Sequence, residues 1–455
     1  MATTYLSRTF TASATGEQQF TLSMWVKRSS ITATQFLFNA YSDTNNYTGL
    51  YFDGADKLVF SSITGGSDTG NLTTNRVFRD TSAFYNIVAV WDSNNGTPGD
   101  RMKLYVNGVE ETSFATDTNP SSGQDSFVGD SGKNCLLGYK GETGFYFDGL
   151  MTHVQLVDSA ALAPTEFGQV DATSGIWKIK TSCYATPGTN GFCLKMETTS
   201  GSGMGTDSSG EGNNLTASGS PTQTVDNPSN VMCTFNPLDN YYDSSTFANG
   251  NTTVSTSTAG YSCTMATIGL TKGKWFWETK YVSKTGGNKY PLIGIASTPV
   301  TAVNQELGEF VNDWGYLMDN TASRLRNNDA SIVYGSNYTE GDIIGVGLDL
   351  DNNNLYFALN GTWVNSGVPT SGGTGTGAVS ITAPASTPLG AYFPAVGYWD
   401  GTYGGTFQTN FGNGYFGTTI ISSAGASSTD DDSIWEYDCP TAFYGLNTNN
   451  INTYG

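Results

Sequence analysis

One histidine, His153, stands in a chain of 455 residues, and that scarcity is the first limit on its chemistry. His153 alternates with Thr152, Val154 and Leu156, as a strand residue does. A histidine-dependent triad also needs a nucleophile within reach, and no Gly-x-Ser-x-Gly turn supplies one. His153 therefore reads as structural. Glycoside hydrolysis instead needs two carboxylates at a set separation. Asp349 and Asp351 share a strand face but run straight into a turn. Glu436-Tyr437-Asp438 has similar spacing but continues into Cys439-Pro440-Thr441. No catalytic residue is assigned. Binding chemistry has more candidates. Tyr398-Trp399-Asp400-Gly401-Thr402-Tyr403 is an aromatic loop between two strand-like runs, and Trp314 and Tyr316 fall in another expected loop. Aromatic faces stack on sugar rings while Asp and Asn hydrogen-bond the hydroxyls, although the same rings also fill core rims and subunit interfaces. Asp92 and Asp100 flank Ser93-Asn94-Asn95-Gly96 after a strand, a pattern that suits either a rim calcium ion or a plain turn.

The elements that must position these groups follow from composition. Aromatics make up 13% of the chain and charged residues only 13%, with 56 glycines. Such a sequence predicts an all-β protein, not a disordered or helical one. Its length predicts two or three domains. The net charge of −20 would be repelled by phosphates and anionic lipid, so neither nucleic acid nor membrane insertion is expected. Cys135, Cys183, Cys193, Cys233, Cys263 and Cys439 show no zinc-type spacing. Cys183 and Cys193 could face across a hairpin, but nothing demands a disulfide and the thiols are expected mostly free. Met1 to Arg8 lacks the apolar core of a signal peptide, and no stretch approaches a membrane span. These features predict synthesis in a reducing cytosol, with export only by release of an assembled particle.

Short strands recur along residues 1–160. Phe20 to Lys27 alternates apolar and polar residues as a half-buried strand does. Gln35 to Asn39, Leu50 to Phe52 and Lys57 to Phe60 follow, with Asp53-Gly54 turning between the latter two. Tyr85 to Trp91 is a continuous apolar run that predicts a central strand, and Met102 to Val106 ends at the hairpin signal Asn107-Gly108. Leu136 to Gly138 and Gly149 to Val157 complete a β-sandwich pattern. Ala160 to Gly168 reads as one short helix, and residues 199–230 read as a polar loop. A second β-rich set covers 255–420: Gly273 to Tyr281, Pro291 to Ala296, Asp342 to Asp351, Leu355 to Gly361, Tyr392 to Val396 and Phe407 to Gly412.

Arg79 to Val88, Lys103 to Gly108 and Phe147 to Leu156 resemble, in order, the laminin-G-type concanavalin A-like family. The second set resembles the SPRY domain, through Gly273-Lys274-Trp275-Phe276-Trp277-Glu278, the Asp342 to Gly361 hairpin and Phe407 to Gly412. The resemblances imply an all-β fold of two concanavalin A-like β-sandwiches (jelly rolls) joined by a loop-rich connector. The expected divisions are 1–165, 166–254, 255–420 and an acidic linker with a docking tail at 421–455. Concanavalin A-like glucanases of the laminarinase type carry a Glu-x-Asp-x-x-Glu strand, which is absent here. Gly203 to Asp207 resembles a single calcium-binding nonapeptide, which works only in arrays.

Asp207 to Asn213, Asp226 to Asn230 and Asn236 to Leu238 resemble a connector in structural proteins of marine bacteriophages, and Asp438 to Asn450 resembles their endings. That likeness implies a virion protein of the tail, fibre or capsid surface, contributing to host attachment, and the lone strand histidine with no carboxylate pair predicts that it is non-enzymatic. Its expected partners are other virion proteins and a host surface glycan, as a homo-oligomer in the particle and with no cofactor unless calcium. The alternatives are a glycoside hydrolase that degrades host polysaccharide and a bacterial lectin.

Overall fold

The computed structural model of the chain describes residues 3–11, 17–142, 144–197, 201–256, 258, 260–428 and 431–455. Met1 and Ala2, residues 199 and 200 of the polar stretch, and Thr429 and Asp430 of the acidic linker lie outside these. The chain divides into two compact units, Met1–Gln223 with Asn227–Ser229, and Asn230–Gly455 with Thr224–Asp226.

The first unit is a sandwich of two antiparallel sheets. Among the described residues, the eight-stranded sheet runs Phe114–Thr118, Ser67–Val77, Lys57–Thr64, Asn46–Phe52, Gln35–Asp43, Asn134–Leu137, Tyr5–Thr9, Thr216–Ser218. The six-stranded sheet runs Phe192–Leu194, Gly149–Asp158, Gln19–Arg28, Tyr85–Asp92, Met102–Val106, Val109–Glu110. Alternation places Phe20, Leu22, Met24 and Val26 in the core between the sheets. The opposite face of that strand is also buried, unlike the half-buried strand its pattern predicts. Thr21 Oγ1 donates to the Ala160 carbonyl at 2.8 Å and accepts from Leu162 N at 2.9 Å, so the following segment straps the outer face. The neighbouring Tyr85–Asp92 strand sends Ile87, Ala89 and Trp91 inward and packs Val88 and Val90 with Phe167 on the outer side. Burial on both faces explains its continuous apolar run. At the Asn107-Gly108 hairpin both residues have positive φ, 50° and 77°. A Cβ on Gly108 would lie 2.5 Å from the Trp177 ring, so only glycine fits.

Several expectations change. The segment read as a helix at 160–168 is a 3-10 turn, Pro164–Glu166, that leads into the strand Gly168–Val170, because its apolar residues cover a sheet instead of forming a helical stripe. Residues 166–254, read as a connector, give strands to both sandwiches: Phe192–Leu194 and Thr216–Ser218 to the first, Thr246–Ala248 and Thr253–Ser255 to the second. Cys183 and Cys193 form a disulfide, while Cys135, Cys233, Cys263 and Cys439 are free and buried. Asp207 accepts from the backbone of Cys193, Ser209 and Asn213, so it organises a polar loop.

A charged knot ties the first sandwich. Arg28 and Asp56 are fully buried and paired at 3.0 Å. Arg28 also donates to the Phe78 carbonyl and lies over the Phe52 ring at 4.3 Å, while Arg79 reaches Asp56 at 3.0 Å. Removing one partner of such a pair strands a buried charge, at a cost of about 3–5 kcal/mol. Asp56→Ala is therefore expected to lower the Tm of the first unit far more than Arg79→Ala, whose guanidinium is half exposed. Equal shifts in calorimetry would contradict this.

The second unit repeats the architecture. Among the described residues, one sheet runs Thr246–Ala248, Thr253–Ser255, Gly405–Asn410, Lys274–Lys284, Ile343–Asp349, Asn354–Leu359, Thr362–Trp363, with Val379–Ser380 also pairing to Asn354–Leu359. The other runs Ser262–Met265, Phe393–Tyr398, Pro291–Ala296, Trp314–Asp319, Ala322–Asn327, Ala330–Val333. Trp275, Trp277 and Tyr281 point into the core, and Phe276 and Glu278 point out. The tail covers them: Trp435, Cys439 and Phe443 pack on Phe276, and a terminal helix, Thr448–Tyr454, is capped by Asn447. Glu278 accepts from the backbone N–H of Glu436 (2.9 Å) and Tyr437 (2.8 Å) and from Asn410 Nδ2 (3.1 Å).

Burial pushes Glu278 up to about 7 against those three donors. It also pushes Asp243 to about 7, Glu306 to about 7 despite Arg326, and Asp313 to about 6. An acid whose pKa rises on folding holds more protons folded than unfolded, so its stability contribution is lost as pH climbs from the ordinary carboxyl range through the folded value. The second unit should thus unfold several degrees higher at about pH 5 than at about pH 8, and Glu278→Gln should narrow that gap. A Tm that rises with pH across this window would contradict the assignment.

Candidate ligand-binding site

Three connections converge at one end of the second sandwich: 285–290, 320–321 and 399–404. They are knit by Thr285 N to the Gly404 carbonyl (2.8 Å), Asn320 N to the Lys289 carbonyl (3.0 Å) and Lys289 N to Asn320 Oδ1 (2.7 Å). Asp400 shapes the last of them, because its Oδ1 accepts from the backbone of Thr402 (2.7 Å) and Tyr403 (3.1 Å). Its Oδ2 accepts from Asn288 Nδ2 at 3.4 Å. Tyr403 lies flat on Gly286, where a Cβ would come within 2.1 Å of the ring, so the glycine seats the aromatic. Trp399 packs edge-on against Tyr290 at 5.3 Å and carries the Arg326 guanidinium 4.7 Å from its ring centroid. Arg326 is itself held by Glu306 and Asp329. At the same end Lys289 pairs with Glu340 at 3.1 Å. Burial would raise Glu340, but hydrogen bonds from Thr339 and Lys289 overcome it and bring the carboxyl down to about 2.

Asp400 and Tyr403 therefore meet in this loop, with Trp399 on the adjoining outer face. The other three aromatics do not. Tyr398 and Tyr316 are fully buried strand residues, and Trp314 is half-buried against the same core. The Tyr398 hydroxyl donates to the Asn288 carbonyl (2.7 Å), and the Tyr316 hydroxyl to that of Ser336. Trp314 and Tyr316 begin the strand Trp314–Asp319, so alternation turns both inward. Sequence reasoning missed Asn288, Tyr290 and Asn320; the Gly286-Gly287 turn signal just before the buried strand at 291 marked the loop of the first two.

The remaining candidates are engaged elsewhere. Asp100 is paired with Lys103 at 2.9 Å, and the Asp92 carbonyl accepts Asn95 N in a turn. Among the described residues no group of three or more His, Cys, Asp or Glu side chains could hold a metal ion. Asp349 is buried, accepts from Asn352 and pairs with Lys274, and Asp351 accepts from Gly273 N. His153 sits at a β-bulge with φ 47°, its Nδ1 3.0 Å from Thr152 Oγ1, and burial lowers its pKa. The loop end, by contrast, presents half-buried rings, side-chain amides and a carboxylate on a rigid frame, groups suited to non-covalent recognition.

Residues 2–166 match the family described as the concanavalin A-like lectin/glucanases superfamily, and residues 274–413 match the SPRY domain. The chain carries a concanavalin A-like domain and a SPRY domain. No curated protein matches it. Among solved structures, the SPRY domain of human HERC1 is 19% identical, with 38% of this chain and 96% of that one covered and a TM-score of 0.29. A heptameric pentraxin of Limulus polyphemus is 19% identical over 36% of this chain and 73% of its own, with a TM-score of 0.27. Domain 4 of an arabinanase from Geobacillus stearothermophilus, solved with arabinotriose, is 22% identical over 33% and 64%, with a TM-score of 0.26. Among the described residues no helix is long and apolar enough to cross a membrane.

Within the SPRY domain, Asp400→Ala removes the acceptor for two backbone donors. It is expected to cost about 1–2 kcal/mol and to speed amide exchange at Thr402 and Tyr403. Unchanged exchange would show that Asp400 does not hold the loop.

Proposed function

We propose that this chain is a non-enzymatic recognition protein that binds a surface glycan through the loop end of its SPRY domain. The observation that carries this reading is the meeting of Tyr290, Tyr403, Asn288, Asn320 and Asp400 on connections locked to one another, beside Trp399. Preorganised rings and amides limit the ordering cost of binding. The non-catalytic part is supported by how the acids are used: Asp349, Asp351 and Glu278 each hold up backbone or turn groups. The setting we propose is a bacteriophage virion, on the tail, fibre or capsid surface, with the chain as a homo-oligomer among other virion proteins. That part is supported by the likeness of 207–213, 226–230, 236–238 and 438–450 to marine phage connectors and endings.

Glycan-array binding of the full chain tests the site. Trp399→Ala with Tyr403→Ala is expected to weaken binding by at least about tenfold, roughly 1.4 kcal/mol, at unchanged far-UV circular dichroism. Binding untouched by the pair would place recognition elsewhere. Mass spectrometry of purified particles is expected to find the chain in stoichiometric amounts, and its absence would refute the virion setting.

A further inference from the structure

We infer that Glu306 and Arg326 are positioning residues for Trp399, and that a proton on Glu306 releases the ring and so regulates the loop end of the SPRY domain. The inference rests on the glycan-recognition reading for what the ring does, and adds how the ring is held. Trp399 is fixed from two directions. Its backbone N–H donates to the Tyr290 carbonyl at 2.9 Å, and the Tyr290 ring meets it edge-on. The Arg326 guanidinium lies 4.7 Å from its ring centroid. The Arg326 side chain is only 5% exposed, and a cation on an aromatic face is held more strongly out of water than at a wet surface.

What holds Arg326 comes from a separate segment. Glu306 Oε1 accepts from Arg326 Nε at 2.6 Å and also from Nη2, which donates in turn to Asp329 Oδ1 at 2.6 Å. The two carboxylates are unequal. Glu306 is 5% exposed, whereas Asp329 is 78% exposed and its attraction is screened by solvent. Glu306 cannot follow the arginine, because its segment is stitched to the turn at 327–329. Asn327 Nδ2 donates to the carbonyls of Val311 (2.9 Å) and Asp313 (2.8 Å), and Asp329 N donates to that of Gly308 (3.3 Å). Gly308, with φ 90°, passes so close that a Cβ would lie 2.7 Å from the Arg326 carbonyl oxygen. Leu307 packs in the same outer-face cluster as Trp399. The carboxylate is thus the fixed point, and the guanidinium and the ring are the parts that can shift.

The second oxygen of Glu306 makes the pair responsive. Oε2 is buried without a hydrogen-bond partner, so a proton there removes the charge while Oε1 stays on the guanidinium. The charged groups that face Glu306 are Arg326 and Asp329 from the hairpin and Glu309 from its own segment, whose Oε2 accepts from Glu306 N at 3.2 Å. Burial pushes Glu306 up to about 7; Arg326 opposes the rise, and Glu309 and Asp329 add to it. Above that value the charged carboxylate keeps the guanidinium on Trp399. Below it only the exposed Asp329 still pulls, and it draws the guanidinium off the ring. Two other acids of this unit titrate in the same range, Asp313 at about 6 and Asp243 at about 7, while burial keeps the Cys263 thiol near them neutral.

The test uses the full chain labelled with fluorotryptophan and followed by fluorine NMR, with the Trp399 signal identified by its loss in Trp399→Phe. That signal is expected to titrate with a midpoint at about 7. Glu306→Gln keeps an acceptor for Arg326 but cannot titrate, so it should abolish the shift. Arg326→Lys keeps the charge but loses the planar fork, and should cut the amplitude by at least about half. A Trp399 signal that does not titrate, a titration that survives Glu306→Gln and so belongs to Asp313 or Asp243, or full amplitude in Arg326→Lys would each overturn the inference. This readout needs no ligand, which separates it from the glycan reading. On a glycan array, glycans held at about pH 8 should bind at least about fivefold more weakly at about pH 5.5. Equal binding at the two pH values would overturn the regulation. A chain that holds no glycan would remove the proposed function, and the Trp399 titration would then decide the inference alone.

Discussion

Glu278 is a carboxylate sealed beneath the last segment of the chain, and the second sandwich is organised around it. Strand alternation gives Lys274–Lys284 two faces, with Trp275 and Trp277 inside and Phe276 and Glu278 outside. An outward Phe beside a carboxylate cannot be left half-covered. The tail meets both needs at once: Trp435 packs on Phe276 at 4.9 Å, and the N–H groups of Glu436 and Tyr437 close on the carboxylate. Apolar cover alone could slide, whereas two adjacent amides aimed at one carboxylate fix the register. Asp431 repeats the device nearby, accepting from Ser433, Gly445 and Asn450.

The first sandwich solves the same problem with Thr21, whose hydroxyl ties down residues 160–162 over the outer face of the six-stranded sheet. In both units the segment that follows the sandwich strands becomes its cover. This is why divisions placed at composition changes, such as 166 and 421, do not separate folded from unfolded chain. The polar stretches there are rich in Ser, Asn and Gly because they turn often, not because they lack partners.

That contrast explains how much was legible in the sequence. Tyr85–Asp92 was readable as a central strand because burial on both faces leaves an unbroken apolar run. Asn107-Gly108 was readable as a hairpin because the turn needs positive φ at two successive residues. Tyr316 and Tyr398 were misjudged as loop aromatics, since side-chain direction depends on where a strand starts, and one residue of error reverses it. Half of the candidate site, Trp399, Asp400 and Tyr403, was visible as an aromatic turn. The other half was not: Asn288, Tyr290 and Asn320 come from connections far away in sequence, and only the folded sheet order brings them together. The Cys183–Cys193 pair was visible as a spacing but not as a bond.

Loops held by hydrogen bonds and acids committed to backbone groups are what support the proposed reading of a binding protein. The most direct test of this account is to incubate the full chain with a polysaccharide it binds and follow new reducing ends alongside binding. The account predicts saturable binding with the polymer recovered intact. Release of reducing ends that disappears when an acidic pair is replaced would contradict it.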